Sequence, residues 1–347
     1  MKKLLFWVSA IFLFISAGFT AEPKVESLLG AGATFPYPLY SKMFEEYYNF
    51  TKMKVNYQAI GSGGGIQQLV SKTVDFGGTD APMNANEKKA AKAEVIHIPT
   101  CLGAVVLTYN LPGDPQINFS PEIISEIFLG TITKWNDPKI AEANKGVMLP
   151  DTQITVVHRS DGSGTTFTFT DYLSTVSPEW KSKVGTGKSL NWPVGIGGKG
   201  NPGVTAYIKQ LPGAIGYVEQ AYAVQNKMPM GKIKNKAGNF ISADLKSVMN
   251  AANVEIPANA QVSIVDTSAP DGYPICTFTW IILYKEQAYG GRPQNRSKEV
   301  VKLIWWMIHE GQQYNEPLFY GRLPEKVVKL DEDLLDSVVY NGSKINK

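Results

Sequence analysis

The amino-acid sequence predicts an α/β fold built as two core-bearing lobes. Short β-branched strand patterns alternate with helix patterns along the chain, which is typical of helices that cover the faces of a sheet. The chain has 347 residues, and a length above about 300 residues favours two cores over one. Hydrophobic residues make up 44% and charged residues 19%, which excludes a disordered chain. The formal net charge of +3 is too small for a nucleic-acid-binding surface.

The amino terminus predicts an export signal over residues 1–21. Two lysines precede an apolar run over residues 4–15, and no further charge appears until Glu22. This order is typical of a signal peptide that is cleaved during secretion. An uncleaved membrane anchor is the alternative, because residues 4–21 are just long enough to span a bilayer. No basic stop-transfer cluster follows, so we expect a soluble exported protein.

Strands are predicted where β-branched and apolar residues alternate or run together. The predicted strands are residues 55–60, 74–80, 95–98, 105–109 and 154–158, with a further β-like run at 280–283. Helices are predicted where a capping residue or glycine loop precedes a helical apolar pattern. One predicted helix begins near residue 66. The other predicted helices cover residues 121–129, 165–173, 298–309 and 331–340. Pro121 suits the first helical position after Ser120, and Gly130 ends that helix.

Three glycine-rich loops between a strand and a helix carry hydroxyl side chains. They are residues 30–35, 61–65 and 161–165. The carboxyl end of a strand and the unpaired N–H groups of a helix start converge at such loops, and the helix dipole favours an anion. One such loop is usually only a turn. With three in one chain, an oxyanion site and a set of ordinary turns are both open on this observation.

Arg159 and Asp161 are predicted to face the same crevice, because residues two apart at a strand end point the same way. A guanidinium offers a fixed fork of donors that suits a tetrahedral oxyanion, and a neighbouring carboxylate can hold it in place. The alternative is a surface ion pair, which commonly contributes less than about 1 kcal/mol. Ser163, Gly164 and Thr165 follow directly and favour the binding interpretation.

Two nucleotide-binding motifs are rejected. Residues 187–189 resemble the end of a P-loop, but Ser182 stands at its first glycine and no strand precedes it, so we expect an exposed turn. Residues 195–200 match the dinucleotide fingerprint literally. They follow Trp192 and Pro193 rather than a strand, and we expect residues 201–203 to block a helix there. We therefore predict a surface loop.

Enzymatic and metal chemistry find little support in the sequence. A nucleophilic Ser163 would need the G-x-S-x-G elbow, but Asp161 stands two residues before it. His97, His158 and His309 have no metal-ligand spacing, and we expect each to be structural. We predict neither a catalytic residue, nor a metal site, nor a cofactor.

Cys101 and Cys276 are the only cysteines of the sequence, and each opens an apolar β-like run. An exported protein matures where disulfides form. A Cys101–Cys276 disulfide is one prediction, provided that the two runs are neighbouring strands. Two separately buried thiols are the other, because the geometry must decide.

The sequence resembles one known family at the glycine loops. The segments at residues 30–36 (GAGATFP) and 159–165 (RSDGSGT) resemble the periplasmic phosphate-binding proteins of bacterial phosphate ABC transporters. Residues 74–77, 129–137, 192–200 and 212–219 continue the resemblance in the same order, over most of the chain. One departure is Gly63, where relatives often have a second serine.

The resemblance implies a two-lobed periplasmic binding protein fold, in which each lobe is a central β-sheet flanked by helices and the ligand lies in the interlobe cleft. It implies a first lobe of residues 22–99 plus 277–347 and a second lobe of residues 100–276, with both cysteines at the hinge. It also implies the phosphate ligands, which are Thr34, Phe35, Ser62, Asp80, Arg159, Ser163, Gly164 and Thr165, with Asp161 orienting Arg159.

The function that the resemblance implies is high-affinity phosphate binding in the periplasm. A monomer would close around the anion and deliver it to the membrane permease subunits of an ABC importer. A receptor for sulfate or molybdate is one alternative, which Asp80 disfavours because sulfate brings no proton for that carboxylate. A secreted phosphatase or other hydrolase that uses Ser163 is the other.

Overall fold

The computed structural model describes residues 24–345. The export signal predicted over residues 1–21 lies outside the described residues. No helix within residues 24–345 combines the length and apolar character that crossing a bilayer requires.

Strands and helices alternate along the chain as the sequence patterns predict. The strands are β1 (Ser27–Gly32), β2 (Lys54–Ala59), β3 (Phe76–Thr79), β4 (Val95–Tyr109), β5 (Asn118–Phe119), β6 (Thr155–Arg159), β7 (Ile196–Gly198), β8 (Ala214–Glu219), β9 (Lys232–Lys234), β10 (Phe240–Ile241), β11 (Ile264–Val265), β12 (Ile275–Tyr284), β13 (Val339–Tyr340) and β14 (Ser343–Lys344). The α-helices are α1 (Tyr37–Thr51), α2 (Ser62–Val70), α3 (Ala85–Ala91), α4 (Pro121–Leu129), α5 (Pro138–Ala143), α6 (Gly164–Val176), α7 (Pro178–Lys183), α8 (Gly200–Gln210), α9 (Gln220–Gln225), α10 (Leu245–Ala251), α11 (Gln294–Ile308) and α12 (Glu325–Asp336). Two short 3₁₀ helices follow α11, at Glu310–Tyr314 and Glu316–Leu318.

One large sheet organises the fold, with the strand order β2-β1-β3-β12-β4-β8-β6-β7. Strands β1, β2 and β3 are parallel, and β12 runs antiparallel between β3 and β4. On the other side, β8 is antiparallel to β4, whereas β6 and β7 continue in parallel with β8. Every residue of β8 and β12 is buried, and the burial of β12 explains the continuous apolar run at residues 280–283.

Strand β4 joins the two halves of the sheet. Its residues 95–104 pair with β12 and its residues 105–109 pair with β8. We call the half around β1 the first lobe and the half around β8 the second lobe. The predicted two-lobed α/β fold, with sheets flanked by helices, is confirmed.

The prediction of two separate strands at 95–98 and 105–109 is wrong, because β4 is continuous over 15 residues. Pro99 lies within this strand, beside a register shift between Thr279 and Trp280 of β12, where an irregular ladder accepts a proline.

Helix α4 has the predicted bounds, capped by the Ser120 side chain and ended by Gly130 at φ 79°. The last helix lies earlier than the predicted residues 331–340. Pro324 precedes α12, so the helix begins at Glu325 and ends at Asp336, and the pair Val339–Tyr340 forms strand β13 instead.

Both cysteines are buried free thiols, so the disulfide prediction is wrong. The two runs are neighbouring strands, as the disulfide required. However, Cys101 lies opposite Thr279 and Cys276 lies opposite Ala104. Three residues along the ladder separate the thiols by about 10 Å, and a disulfide needs Cα atoms within about 7 Å.

Candidate functional site

The three hydroxyl-bearing loops meet where the two lobes touch. The backbone N–H of Gly164, in the second lobe, donates to Ser62 Oγ of the first lobe at 3.1 Å. The N–H of Gly63 donates to the carbonyl of Gly162 at 2.8 Å. Ser62 and Gly164 are therefore held side by side across one cleft.

Helices α2 and α6 both begin at this cleft. Ser163 is the N-cap of α6, and its hydroxyl oxygen accepts from the N–H of Thr166 at 3.0 Å. Gly61 precedes α2 with φ 88°, and a Cβ at this position would lie 2.2 Å from Asp161 Oδ2, so the close approach requires glycine. First-turn N–H groups have no partner within their own helix, and the dipoles of both helices favour an anion between them.

Arg159 stands at the end of β6 with its guanidinium buried. Its Nε donates to Asp161 Oδ1 at 2.8 Å and its Nη2 donates to Asp161 Oδ2 at 2.5 Å. The carboxylate therefore binds the guanidinium in a bidentate arrangement. Burial opposes the charge on Asp161. The bonds and the charge of Arg159, with an N–H bond from Gly200, outweigh burial and hold the pKa of Asp161 below its ordinary value. Arg159 Nη1 remains directed at Thr165 Oγ1, at 3.3 Å.

Asp80 follows β3 and is buried in the first lobe. Its Oδ1 accepts from the Thr279 hydroxyl at 2.9 Å, while Oδ2 lies 3.5 Å from Ser62 Oγ. Burial raises the pKa of Asp80 to about 7, against the opposing effects of the Thr279 bond and the charge of Arg159. Asp80 therefore exchanges a proton close to neutral pH.

Thr34 and Phe35 end the first loop, and both are buried. The carbonyl of Thr34 accepts from the Tyr222 hydroxyl at 2.6 Å, and the carbonyl of Phe35 accepts from the Tyr320 hydroxyl at 2.7 Å. These bonds fix the orientation of both peptide groups. The Thr34 hydroxyl oxygen accepts from Asn201 of the second lobe.

The prediction of a surface loop over residues 195–200 is wrong. Residues 196–198 form β7, parallel to β6, and α8 begins at Gly200. Pro202 does not block this helix, because the N–H that a proline lacks is not needed in the first turn. The start of α8 holds no dinucleotide phosphate, since Gly200 N–H donates to Asp161 and Asn201 N–H donates to Thr34.

Sequence reasoning missed Asn201, Thr279 and Tyr320 as neighbours of the site. Asn201 was assigned to a loop, and the other two lie far along the chain from the residues that they contact. The glycine spacing before α8 was a usable signal, because it fits a strand followed directly by a helix.

The segment at residues 187–189 also contacts the first lobe and is not the exposed turn that we predicted. The Lys188 side chain is only 11% exposed, and its Nζ lies 2.7 Å from Glu87 Oε2. Glu87 belongs to α3 of the first lobe, where its side chain also accepts from the N–H of Asn84. The ion pair is therefore made only when the lobes approach one another.

The three histidines have structural contacts. His97 accepts from the N–H of Met83, His158 stacks on the Trp192 ring with centroids 4.8 Å apart, and His309 pairs with Glu332. Among residues 24–345, no cluster of three or more His, Cys, Asp and Glu side chains could hold a metal ion.

Comparisons with known proteins agree on one family. A family model described as a PBP superfamily domain matches residues 17–309. The chain is 44% identical to the phosphate-binding protein PstS of Pasteurella multocida, over 90% of this chain and 90% of that protein. It is 40% identical to the protein of the same name from Haemophilus influenzae, over 94% and 96%. A solved structure of a phosphate-binding protein from Stenotrophomonas maltophilia shares the fold, with a TM-score of 0.66 at 16% identity over 87% of this chain and 92% of that one.

Proposed function

Because this chain belongs to the PBP superfamily and, within it, to the phosphate-binding proteins named PstS, we propose that it binds inorganic phosphate between its two lobes. It then delivers the anion to the membrane permease subunits of a phosphate ABC transporter. It acts as a binding protein and not as an enzyme.

One observation carries this proposal: two helix starts and a buried guanidinium from opposite lobes converge on one point. The charged side chains around this point are the guanidinium of Arg159 and the two carboxylates of Asp80 and Asp161. Because negative charge exceeds positive charge there, these side chains alone do not attract an anion. The attraction comes from N–H groups, hydroxyl protons and the dipoles of α2 and α6. A small tetrahedral oxyanion matches these converging donors, because every one of its oxygen atoms can accept a hydrogen bond.

We propose the following contacts. The first lobe provides the Thr34 hydroxyl, the Phe35 N–H and the hydroxyl and N–H of Ser62. The second lobe provides Arg159, the Ser163 hydroxyl, the Gly164 N–H and Thr165, while Asp161 orients Arg159. Asp80 accepts the proton that phosphate still carries near neutral pH.

The proposed lobe boundaries are residues 22–99 plus 277–347 and residues 100–276. The division of β4 between two partner strands supports a crossing within that strand, although the pairing changes after residue 104 rather than after residue 99. Hinge closure about β4 and β12 then traps the ligand. The protein is a monomer in the periplasm after cleavage of the signal over residues 1–21.

Calorimetric titration of ligand-stripped protein with phosphate and then with sulfate, repeated across pH, tests the proposal. We expect phosphate to bind far more tightly than sulfate near neutral pH, and small-angle scattering to record compaction when phosphate binds. Equal affinity for the two anions would indicate a sulfate or molybdate receptor instead. Absence of binding would reject the proposal.

The hydrolase alternative has weaker support. Ser163 Oγ caps α6, and within residues 24–345 no histidine or carboxylate is hydrogen-bonded to it to act as a base. The ring of His158 bonds the carbonyl of Arg159. We expect no turnover of a phosphomonoester, and turnover abolished by Ser163→Ala would favour the hydrolase.

A further inference from the structure

Asn201, the second residue of α8, is completely buried where the two lobes meet. Its side-chain oxygen accepts from the backbone N–H of Glu219 at 2.9 Å. A backbone N–H can only donate, so this contact identifies which branch of the amide is the oxygen and which is the NH₂ group. The fold therefore fixes the direction in which the two NH₂ protons point.

The NH₂ group reaches two threonine hydroxyl groups from opposite lobes. Asn201 Nδ2 lies 2.9 Å from Thr34 Oγ1 and 3.2 Å from Thr165 Oγ1. Each of these oxygen atoms also accepts from a second donor. The backbone N–H of Asn201 lies 3.1 Å from Thr34 Oγ1, and Arg159 Nη1 lies 3.3 Å from Thr165 Oγ1. Each hydroxyl oxygen thus accepts two hydrogen bonds.

A threonine hydroxyl has two acceptor lone pairs and one proton. Since both lone pairs of Thr34 and of Thr165 are used, each hydroxyl must donate its proton to a further acceptor. Neither hydroxyl donates to another atom among residues 24–345. In the proposed function, the bound anion supplies the acceptor for both protons.

We infer that Asn201 is a positioning residue that directs the hydroxyl protons of Thr34 and Thr165 at the bound anion. The inference rests on the proposed function, in which both threonines contact phosphate. It also explains how the ligand proton is oriented. The phosphate oxygen atoms that accept from these two fixed hydroxyl donors are best left unprotonated. The single proton of hydrogen phosphate is therefore directed to the Asp80 carboxylate, which can accept it.

Calorimetry with inorganic phosphate tests the role on the ligand-stripped full-length protein. Asn201→Ala is expected to weaken phosphate binding by between about tenfold and one hundredfold, because the two hydroxyl protons lose their fixed direction. Asn201→Asp has the same shape but replaces the NH₂ group with an acceptor that draws both protons away from the ligand. It is expected to weaken binding further.

A double-mutant cycle separates positioning from a merely structural role. If Asn201 acts through the Thr34 hydroxyl, Asn201→Ala weakens binding by a several-fold smaller factor in a Thr34→Val background than in the wild type. A structural role gives the same factor in both backgrounds, and that result would overturn the inference.

Asn144→Ala is the matched control. Asn144 is also a buried asparagine, and its NH₂ group donates to the carbonyls of Asn118 and Ile140, outside the cleft. This variant should lower the thermal unfolding temperature and leave phosphate affinity within about twofold of wild type.

Failure of the inference is distinguishable from failure of the proposed function. If wild-type protein does not bind phosphate, both are rejected. If wild type binds and Asn201→Ala binds equally well, only the positioning role is rejected. Should Asn201→Ala not fold, Asn201→Asp decides the question, because wild-type affinity in that variant is incompatible with the proposed direction of the two protons.

Discussion

Replacing Asp80 with asparagine is expected to turn a phosphate-selective site into one that also binds sulfate. The Thr279 hydroxyl donates to Asp80 Oδ1, so the amide oxygen of the variant keeps that position. The NH₂ group then takes the place of Oδ2, which lies 3.5 Å from Ser62 Oγ at the cleft. There it donates to a sulfate oxygen, where the native carboxylate would repel the same oxygen.

The magnitude follows from the burial of Asp80. Its pKa is raised from 3.8 to about 7, which corresponds to about 4 kcal/mol against the charged form. At about pH 8, however, a pKa of about 7 means that protonating Asp80 costs only about 1.4 kcal/mol, and protonated Asp80 can donate to sulfate. Asp80→Asn is therefore expected to strengthen sulfate binding by about tenfold at that pH. Phosphate should lose about tenfold, because its proton loses a charged acceptor.

Competitive calorimetry at about pH 8, where wild-type Asp80 is ionised, measures both affinities. Asp331→Asn is the control, because Asp331 is another buried carboxyl with a raised pKa but lies on α12. An unchanged ratio of phosphate to sulfate affinity in Asp80→Asn would refute the reasoning. As a further check, wild-type protein should bind sulfate more tightly as pH falls below about 7, because protonated Asp80 can donate.

Three further predictions concern closure and stability. Gly164→Ala is expected to weaken phosphate binding at least about tenfold, because a Cβ would lie 2.5 Å from Ser62 Oγ across the cleft. Calorimetry measures this loss, and a phosphate affinity of Gly164→Ala equal to that of the wild type would contradict the prediction. Lys188→Met removes the ion pair with Glu87 between the lobes and should raise the phosphate dissociation rate about two- to fivefold. Stopped-flow rates equal to wild type at low salt would argue against this role. The free energy of unfolding of the ligand-free protein should fall as pH rises from about 4 to about 7, because folded Asp80 retains a proton that the unfolded chain has released. Urea unfolding measures this slope, which should be smaller in Asp80→Asn, and identical slopes would exclude the contribution.

Much of the fold could be predicted from local patterns. Helix α4 was predicted to the residue because its start and its end are each marked by a residue with a specific conformational preference, Ser120 and Gly130. The strand before Arg159 was predicted within one residue for a similar reason, since a buried apolar run ends at a glycine loop. Such signals depend on a few neighbouring residues, so they can be recognised without knowledge of the rest of the chain.

The errors have a common origin in long-range pairing. The sequence predicts two strands at residues 95–98 and 105–109, yet β4 continues through Pro99 because the irregular register opposite it in β12 accommodates a proline. The disulfide was left open because no sequence pattern gives the register between β4 and β12, and that register separates Cys101 from Cys276. Asn201 was assigned to a loop because β6, the strand beside β7, lies about forty residues earlier in the chain.

The sequence by itself determined the α/β class, the two lobes and the three hydroxyl-bearing glycine loops. Strand periodicity and helix starts depend on residues that are neighbours in the chain. Only the tertiary structure decided how these loops meet. The contact between the two lobes places Ser62 against Gly164 and Asn201 against hydroxyl groups from both sides, and burial raises the pKa of Asp80 to about 7. Burial and hydrogen-bond direction depend on the whole three-dimensional surroundings of an atom, and no local pattern in the chain encodes them.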